Sequence, residues 1–255
     1  MQGVFHTDLA SCLCVTEDRP AFVPWLLWNY RRQDHPAREL VIVDSSHEPL
    51  PEPEDASVTV VRCPPGTSVA RKRNLAVEAA RGKLIAWFDD DDWQHPRRLS
   101  LLARALGADG VLAGPDRSWF IDLRRGRARP YEGRGVIFNG LAVRRAALAG
   151  VRFDERRPRA ADTAWVAALR RSGVRVVPEV LSCWLCHDAN VSNPASRYVF
   201  PYPLDDVRRA VGAEAWGETG AELSRLRARS AGTGSRPTRA ATARAGRAAG
   251  RAARR

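Results

Sequence analysis

The sequence predicts an α/β protein in which helices cover both faces of a mixed, mostly parallel sheet. Short apolar, β-rich runs alternate with amphipathic stretches through the first half of the chain, and most of these runs end in polar residues. Strands that alternate with helices usually form a parallel sheet, and such sheets bind ligands beyond the carboxyl ends of their strands. We therefore expect functional side chains directly after the strands.

Four strands are predicted in the first half, at residues 11–16, 39–44, 58–63 and 84–88. Helices are expected between the first two strands, from about residue 69 to an end at Gly82, and after Pro96. The second half is less regular. It indicates strands at 110–114, 119–123, 174–177 and 180–186, a charged turn at 124–129, and helices at about 143–149 and 161–172.

The composition is that of a globular protein without covalent cross-links. The chain has 255 residues, 44% of them hydrophobic, which is enough for a substantial core. Its five cysteines are an odd number and fall in apolar, strand-like runs, so we expect buried free thiols. The sequence has no run of about 18 apolar residues that would predict a membrane span, and its N-terminal segment lacks the pattern of a signal peptide. The expected location is the cytoplasm.

The positive charge is concentrated at the C-terminal end. Ten arginines and no acidic residue lie between Leu223 and Arg255, so that residues 1–222 carry only +2 of the net charge of +12. After about residue 225 the chain is rich in Ala, Arg and Gly and has no aromatic residue, a composition that cannot bury enough surface to offset its chain entropy. We therefore predict one domain at 1–224 and a disordered tail at 225–255.

Four consecutive carboxylates, Asp89 to Asp92, follow the predicted strand at 84–88. Their mutual repulsion favours a shared divalent cation. The alternative is a solvated acidic turn or a helix N-cap. The flanking residues Trp87 and Trp93 place the carboxylates at the edge of an apolar cleft, which favours the metal site.

Four segments surround and include this run: Lys72-Arg73-Asn74-Leu75-Ala76, Ala80-Arg81-Gly82-Lys83, Trp87 to Trp93 and Pro96-Arg97-Arg98-Leu99. In order and spacing they resemble glycosyltransferase family 2, and the resemblance extends over about residues 10–193. The resemblance implies a GT-A (Rossmann-like) fold with a nucleotide-binding half at about 10–115 and an acceptor half at about 116–200. It also implies a metal-dependent, inverting transfer from a nucleotide-diphosphate sugar, with a UDP-sugar as the expected donor and Mn²⁺ or Mg²⁺ as cofactor.

The resemblance assigns metal ligands in two separate segments of the chain. It implies Asp91 as the first ligand and Asp89 as a second, bound directly or through water. His187 begins a segment similar to the late H-x-x-N-x-S motif of the family, and its imidazole would join the metal. A histidine after a strand can also be structural.

Four further residues are assigned to the nucleotide. Asp90 is similar in place to the carboxylate that meets the ribose, Thr16 and Asp44 to groups around the base, and Arg73 to a cation that steadies base or phosphate. Asp44 could instead cap a loop, and Arg73 could be a solvated helix residue. The family often has a second aspartate where this chain has Ser45, so the base is less defined than the nucleotide.

The resemblance points to Asp162 as the base that accepts the proton of the acceptor hydroxyl. Asp162 lies near the start of a predicted helix, where an aspartate can also serve as an N-cap. Ala161 stands where the family usually has glutamate.

Other functions remain as alternatives. The chain could be a catalytically silent sugar-nucleotide binder, or it could bind nucleic acid through its basic tail, although the tail lacks interleaved aromatic residues. Cys183-Trp184-Leu185-Cys186-His187 matches a haem-attachment pattern and suits zinc, but suitable further ligands are missing from the sequence.

The acceptor is unknown. Five arginines between Arg124 and Arg134 could attract a phosphorylated acceptor or contact a membrane surface peripherally, and a solvated basic hairpin is the alternative.

Overall fold

A computed structural model describes residues 8–133, 135–157, 161–170, 173–187, 190 and 198–232. The strands within these residues are β1 (Ala10–Thr16), β2 (Arg38–Asp44), β3 (Val58–Arg62), β4 (Leu84–Trp87), β5 (Trp93–Gln94), β6 (Leu112–Pro115), β7 (Arg117–Asp122), β8 (Arg127–Glu132), β9 (Ala142–Arg144), β10 (Val174–Val177), β11 (Ser182–Cys186) and β12 (Tyr202–Pro203). The α-helices are α1 (Val23–Arg31), α2 (Val69–Ala79), α3 (Arg98–Leu106), α4 (Ala161–Arg170), α5 (Leu204–Val211), α6 (Ala213–Trp216) and α7 (Thr219–Gly232).

The larger sheet has seven strands in the order β10-β6-β9-β4-β1-β2-β3. All its pairings are parallel except those of β9, which runs antiparallel to both of its neighbours. Successive side chains of a strand point to opposite faces, and those of β1 follow this rule. Cys12 and Cys14 join the core under α1 and α3, whereas Leu13 joins the core under α2 and α4. The predicted α/β fold with helices on both faces is confirmed.

The parallel pairing brings the carboxyl ends of three strands to one edge. Thr16 of β1 pairs with Asp44 of β2, and Leu13 of β1 pairs with Trp87 of β4. The aspartate run therefore begins beside the loops that follow β1 and β2. This is the edge at which the sequence predicts ligand binding.

A second sheet, in the order β12-β8-β7-β11-β5, extends from the aspartate run. Its strand β5 follows the run directly and pairs antiparallel with β11, with Cys183 opposite Trp93. Buried residues of α1, the second sheet and the C-terminal helices form a third core that includes Trp25, Trp93 and Trp216. The sequence did not predict this sheet as a separate layer.

Two local predictions in the second half are wrong. The predicted helix at 143–149 is instead β9 followed by a 3-10 helix at Arg145–Leu148. Strand β9 fills the gap between β4 and β6, so tertiary pairing overrides the predicted helix at Val143 and Arg144. The predicted charged turn at 124–129 is shorter, because β8 already begins at Arg127 after Gly126, whose φ of 62° closes the hairpin.

The last described helix extends beyond residue 225, where the tail is expected to begin. Helix α7 continues to Gly232, and its residues Leu223 and Leu226 are 1% and 0% exposed in the third core. Residues three apart share a helix face, so these two leucines bury one face of the helix. The arginines of the same segment had led to the prediction of disorder. The rest of the predicted tail, residues 233–255, lies outside the described residues.

Other expectations can be checked directly. All five cysteines are free, and all except the half-buried Cys63 are buried. No helix among the described residues is long and apolar enough to cross a membrane.

Candidate active site

The four aspartates after β4 have different surroundings. Asp92 is only 3% exposed and joins the two sheets. Its Oδ2 accepts a hydrogen bond of 2.6 Å from Nδ2 of Asn139, and its Oδ1 lies 3.4 Å from the donating backbone N of Leu185 in β11. Its backbone carbonyl accepts a bond of 3.0 Å from Nε1 of Trp25. Burial raises the pKa of Asp92 well above its usual value. Asp92 is therefore a structural residue.

Asp90 lies against the end of β1. Its Oδ2 accepts a hydrogen bond of 2.7 Å from Oγ1 of Thr16, and its Oδ1 lies 2.8 Å from Nη1 of Arg19. Burial raises the pKa of Asp90 to about 7, although Arg19 acts in the opposite direction. Two of the residues predicted to hold the nucleotide, Thr16 and Asp90, are thus in direct contact.

Asp91 contacts the residues that follow β11. Its Oδ2 lies 3.1 Å from Nε2 of His187 and accepts a hydrogen bond of 3.1 Å from Nδ2 of Asn190. Asn190 also accepts a bond of 2.5 Å from the backbone N of His187. Burial acts to raise the pKa of Asp91, but Arg19 and His187 outweigh it and hold this pKa below its usual value. An ionised carboxylate and an imidazole therefore lie side by side.

This pair suits a divalent cation. Carboxylate oxygen and imidazole nitrogen are ligands of Mn²⁺, and carboxylates are the usual protein ligands of Mg²⁺. Two ligands held at about 2.1 Å on adjacent octahedral positions lie about 3.0 Å apart, close to the 3.1 Å between Asp91 and His187. Among the described residues, no three His, Cys, Asp or Glu side chains form a ready cage. A metal here would need further ligands from substrate phosphates or water, as is common for Mg²⁺.

Asp89, the other predicted metal ligand, is partly exposed. Burial raises its pKa, and the nearby Asp91 adds to this effect, whereas the positive charge of Arg73 opposes it. The negative charge of Asp91 and the positive charge of Arg73, the predicted nucleotide cation, thus act on Asp89 in opposite directions.

Arg73 of α2 lies over an aromatic cluster. Its guanidinium carbon is 4.4 Å from the ring centre of Phe138, 5.4 Å from that of Phe153 and 5.7 Å from that of Trp87. Its buried Nε has no hydrogen-bond partner among the described residues. Burial lowers the pKa of Arg73, while the charges of Asp89 and Asp162 oppose this effect. Arg73 is therefore a half-buried cation held by rings, and not a solvated helix residue.

Asp162 is the second residue of α4. It is half-buried, and its Oδ1 accepts a hydrogen bond of 2.8 Å from the backbone N of Thr163. The neighbouring Trp165 stacks on Phe153 at 4.9 Å and so fixes the helix against the aromatic cluster under Arg73. The structure thus places Asp162 near enough to Arg73 for their charges to interact.

Asp44 serves the loop after β2. Its two carboxylate oxygens accept hydrogen bonds of 2.9 Å each from the backbone N of Ser46 and of Leu50, and Nη1 of Arg62 lies 3.5 Å away. With 2% of its surface exposed, Asp44 caps this loop, which is the structural alternative that the sequence offers.

Three residues around the site were not assigned a role from the sequence. Arg19 contacts Asp90, Asp91 and His187 at once. Lys72 is 2% exposed and donates to Oγ of Ser45 at 2.8 Å and to Glu17 at 3.0 Å, which ties the ends of β1 and β2 together. Asn190 orients His187. The one available signal for Arg19 was its place in the loop directly after β1.

The C-x-x-C-H segment forms no joint ligand site. Cys183 and Cys186 are three apart in β11 and point to opposite faces, since Cys183 belongs to the third core and Cys186 to a small aromatic cluster.

Solved structures share this architecture at low sequence identity. TarS 1-349 of S. aureus in complex with UDP-GlcNAc is 17% identical, with a TM-score of 0.54 over 82% of this chain and 67% of that one. The mannosyltransferase PcManGT from Pyrobaculum calidifontis, in complex with GDP-Man and Mn²⁺, is 16% identical, with a TM-score of 0.54 over 94% of this chain and 80% of that one. For TarS 1-349 without ligand, the match has a TM-score of 0.55 at 15% identity and covers 70% of this chain but only 60% of that one. The fold is the GT-A fold of glycosyltransferases.

A family model described as glycosyl transferase family 2 matches residues 12–153. This match covers more than half of the chain, which therefore belongs to glycosyltransferase family 2. The chain spans about 60% of the length of TarS 1-349. No curated protein matches the chain significantly.

Proposed function

We propose that this protein is a metal-dependent, inverting glycosyltransferase that moves a sugar from a nucleotide-diphosphate sugar to an acceptor hydroxyl. The observation that carries the proposal is the contact between Asp91 and His187 at the carboxyl edge of the larger sheet, with Asp162 across the aromatic cluster. A UDP-sugar is the favoured donor. The TarS structure with UDP-GlcNAc supports this choice, and the PcManGT structure with GDP-Man makes a GDP-sugar the direct competitor.

The residues of the chain divide into a donor side and an acceptor side. On the donor side, Thr16 and Asp90 would face the nucleoside. Asp91 and His187, with Asp89 directly or through water, would hold Mn²⁺ or Mg²⁺. When bound, this cation supplies a Lewis acid that stabilises the negative charge of the departing diphosphate. Arg73 adds a fixed positive charge that water screens only weakly, because aromatic rings cover it.

On the acceptor side, Asp162 accepts a proton. The acceptor oxygen forms a bond to the anomeric carbon while the bond from that carbon to the phosphate oxygen breaks on the opposite face, and its electron pair leaves with the diphosphate. The hydroxyl proton passes to the carboxylate of Asp162, which must therefore be ionised at the start of the step. Attack on the face opposite the leaving group inverts the anomeric centre.

The first experiment is thermal unfolding with UDP, GDP and their sugars, each with Mn²⁺, Mg²⁺ or EDTA. A ligand that binds only the native state raises the midpoint by mass action. We expect one nucleotide to raise the midpoint only with metal, and Asp91→Asn to lose this shift. Asp109→Asn, an exposed aspartate after α3, is the matched control and should keep it. A metal-independent shift that survives in Asp91→Asn would refute the metal assignment.

The second experiment tests the stereochemistry without knowledge of the acceptor. Water can replace the acceptor slowly, and NMR can follow the first sugar released from an α-linked donor before it equilibrates. Inversion predicts the β-anomer first. Early release of the α-anomer would refute the inverting mechanism, and binding without any release would favour a silent sugar-nucleotide binder.

A further inference from the structure

Arg19 lies in the loop after β1 and reaches into the centre of the aspartate run. Its Nη1 is 2.8 Å from Oδ1 of Asp90. Its Nη2 contacts Oδ2 of Asp91 and lies 3.1 Å from Nε2 of His187. A single guanidinium nitrogen thus touches both atoms that are assigned to the metal.

A divalent cation and this nitrogen cannot use the two ligand atoms together. Oδ2 of Asp91 and Nε2 of His187 are 3.1 Å apart, so one small group fills the space against both of them. Arg19 would also bring its positive charge into contact with a bound cation, and like charges at that distance repel strongly in a site with little water. Occupancy by Arg19 and occupancy by metal are therefore alternatives.

The contacts of Arg19 allow it to leave. Its Nε has no hydrogen-bond partner among the described residues, and 22% of its side-chain surface is exposed. The remaining support is the ring of Phe22, whose centre is 4.7 Å from the guanidinium carbon. Phe22 itself stacks on His187 at 4.6 Å, so the imidazole keeps a partner when the guanidinium moves.

We propose that Arg19 is a built-in counter-cation that competes with the divalent metal for Asp91 and His187. The inference rests on the metal site of the proposed function. Without metal, Arg19 neutralises carboxylates that would otherwise repel one another. The same contacts weaken metal binding, because only molecules in which Arg19 has left Asp91 and His187 can bind the metal. The apparent affinity for the metal falls in proportion to the fraction of such molecules.

The test compares Mn²⁺ binding by the wild type, Arg19→Met and Arg73→Met, measured by the EPR signal of free Mn²⁺ without nucleotide or sugar. If Arg19 occupies the position in about nine molecules of ten, Arg19→Met binds Mn²⁺ about tenfold more tightly. Arg73→Met is the matched control because it removes an equal charge from the same cleft, near Asp89, and none of the contacts to Asp91 or His187. We expect it to change the affinity less than about threefold.

Arg19→Lys provides a second variant that keeps the charge and protects folding. A lysine has one compact ammonium and cannot span Asp90, Asp91 and His187 as the planar guanidinium does, so we expect an intermediate affinity. Thermal unfolding adds an independent readout. Arg19→Met should melt below the wild type in EDTA and gain more from Mn²⁺ than the wild type gains.

Equal tightening in Arg19→Met and Arg73→Met would overturn the proposal, because a general charge effect would then explain both. Equal or weaker binding by Arg19→Met would overturn it as well, while Mn²⁺ binding by the wild type would leave the metal site intact. A loss of sugar transfer in assays with every donor would count against the proposed function and would leave the competition unaffected. If none of the proteins bound Mn²⁺, both the competition and the metal part of the proposed function would fall.

Discussion

Replacement of Arg98 by methionine should destabilise the whole fold, although Arg98 touches none of the proposed ligands of the metal. Arg98 is 0% exposed and lies where the two sheets meet. Its Nη2 donates to the carbonyl of Trp87 at 2.8 Å and to that of Leu141 at 3.2 Å, and its Nη1 donates to Gln94. Trp87 ends β4, Gln94 lies in β5, and Leu141 directly precedes β9. One side chain thus joins two strands and the segment that leads into a third.

The expected cost follows from these bonds. Methionine fills much of the same volume but leaves two buried carbonyls without a donor, at about 1–3 kcal/mol each. The sum is about 2–6 kcal/mol. We take the middle of this range, about 3–5 kcal/mol, which is also the usual cost of breaking a buried charged network. For a chain of this size it corresponds to a fall of about 6–20 °C in the unfolding midpoint. Burial lowers the pKa of Arg98 to about 10, so the group is still charged at neutral pH.

The adjacent residue offers the control. Arg97 carries the same charge but is exposed, and Arg97→Met should change the unfolding free energy by no more than about 0.5 kcal/mol. Urea unfolding followed by tryptophan fluorescence and by circular dichroism measures both variants. Equal stability of Arg97→Met and Arg98→Met would show that Arg98 does not join the sheets as its hydrogen bonds indicate.

Three further predictions concern other parts of the molecule. Asp162→Asn should lower the rate of nucleotide release from the donor by about 10²- to 10⁴-fold and leave the nucleotide-induced thermal shift unchanged, since only proton transfer is lost. Glu39→Gln should destabilise the protein at pH 7 but progressively less as the pH falls below about 4.5. Burial would raise the pKa of Glu39, but hydrogen bonds from Ser11 and Arg81 lower it, so its stabilising contribution is present above the usual pKa and is lost in acid. Leu226→Ala should cost about 2–5 kcal/mol because it opens a cavity in the third core.

Each of these has a matched control. Asp205→Asn alters the first turn of another helix and should leave nucleotide release unchanged. Glu48→Gln changes an exposed glutamate, so its urea midpoint should stay at the wild-type value at pH 7 and pH 3.5. Ser224→Ala changes an exposed residue of α7 and should cost far less than Leu226→Ala. A stability deficit of Glu39→Gln that is constant over this pH range would contradict the assigned ion pair, and a stable Leu226→Ala would contradict the docking of α7.

The central strands could be predicted because their signals are local. β1, β2 and β4 are continuous apolar runs that are buried on both faces, and their boundaries match the expected ones within a residue or two. The edge that holds the site follows from parallel pairing alone. By contrast, β5 has two residues and β9 has three, and such short strands exist only because partners lie beside them.

The site was predictable where residue type and order carry the information. The aspartate run and His187 could be identified as site residues from their sequence segments. Which aspartate binds a ligand and which is structural could not be predicted. Asp92 is committed to Asn139 and β11, which are 47 and 93 residues away from it along the chain. Arg19 was missed for the same reason, since its partner His187 is 168 residues distant.

The antiparallel pair of β5 and β11 also determines when the site can form during synthesis of the chain. Asp91 lies two residues before β5 and His187 directly follows β11, although the two are 96 positions apart in the sequence. At a synthesis rate of about 5–20 residues per second, a growing chain carries its aspartates for roughly 5–20 s before the histidine is made. During that interval Arg19, only 72 residues ahead of Asp91, is already present. The nascent protein therefore has a partner for its acidic cluster before the proposed metal site is complete.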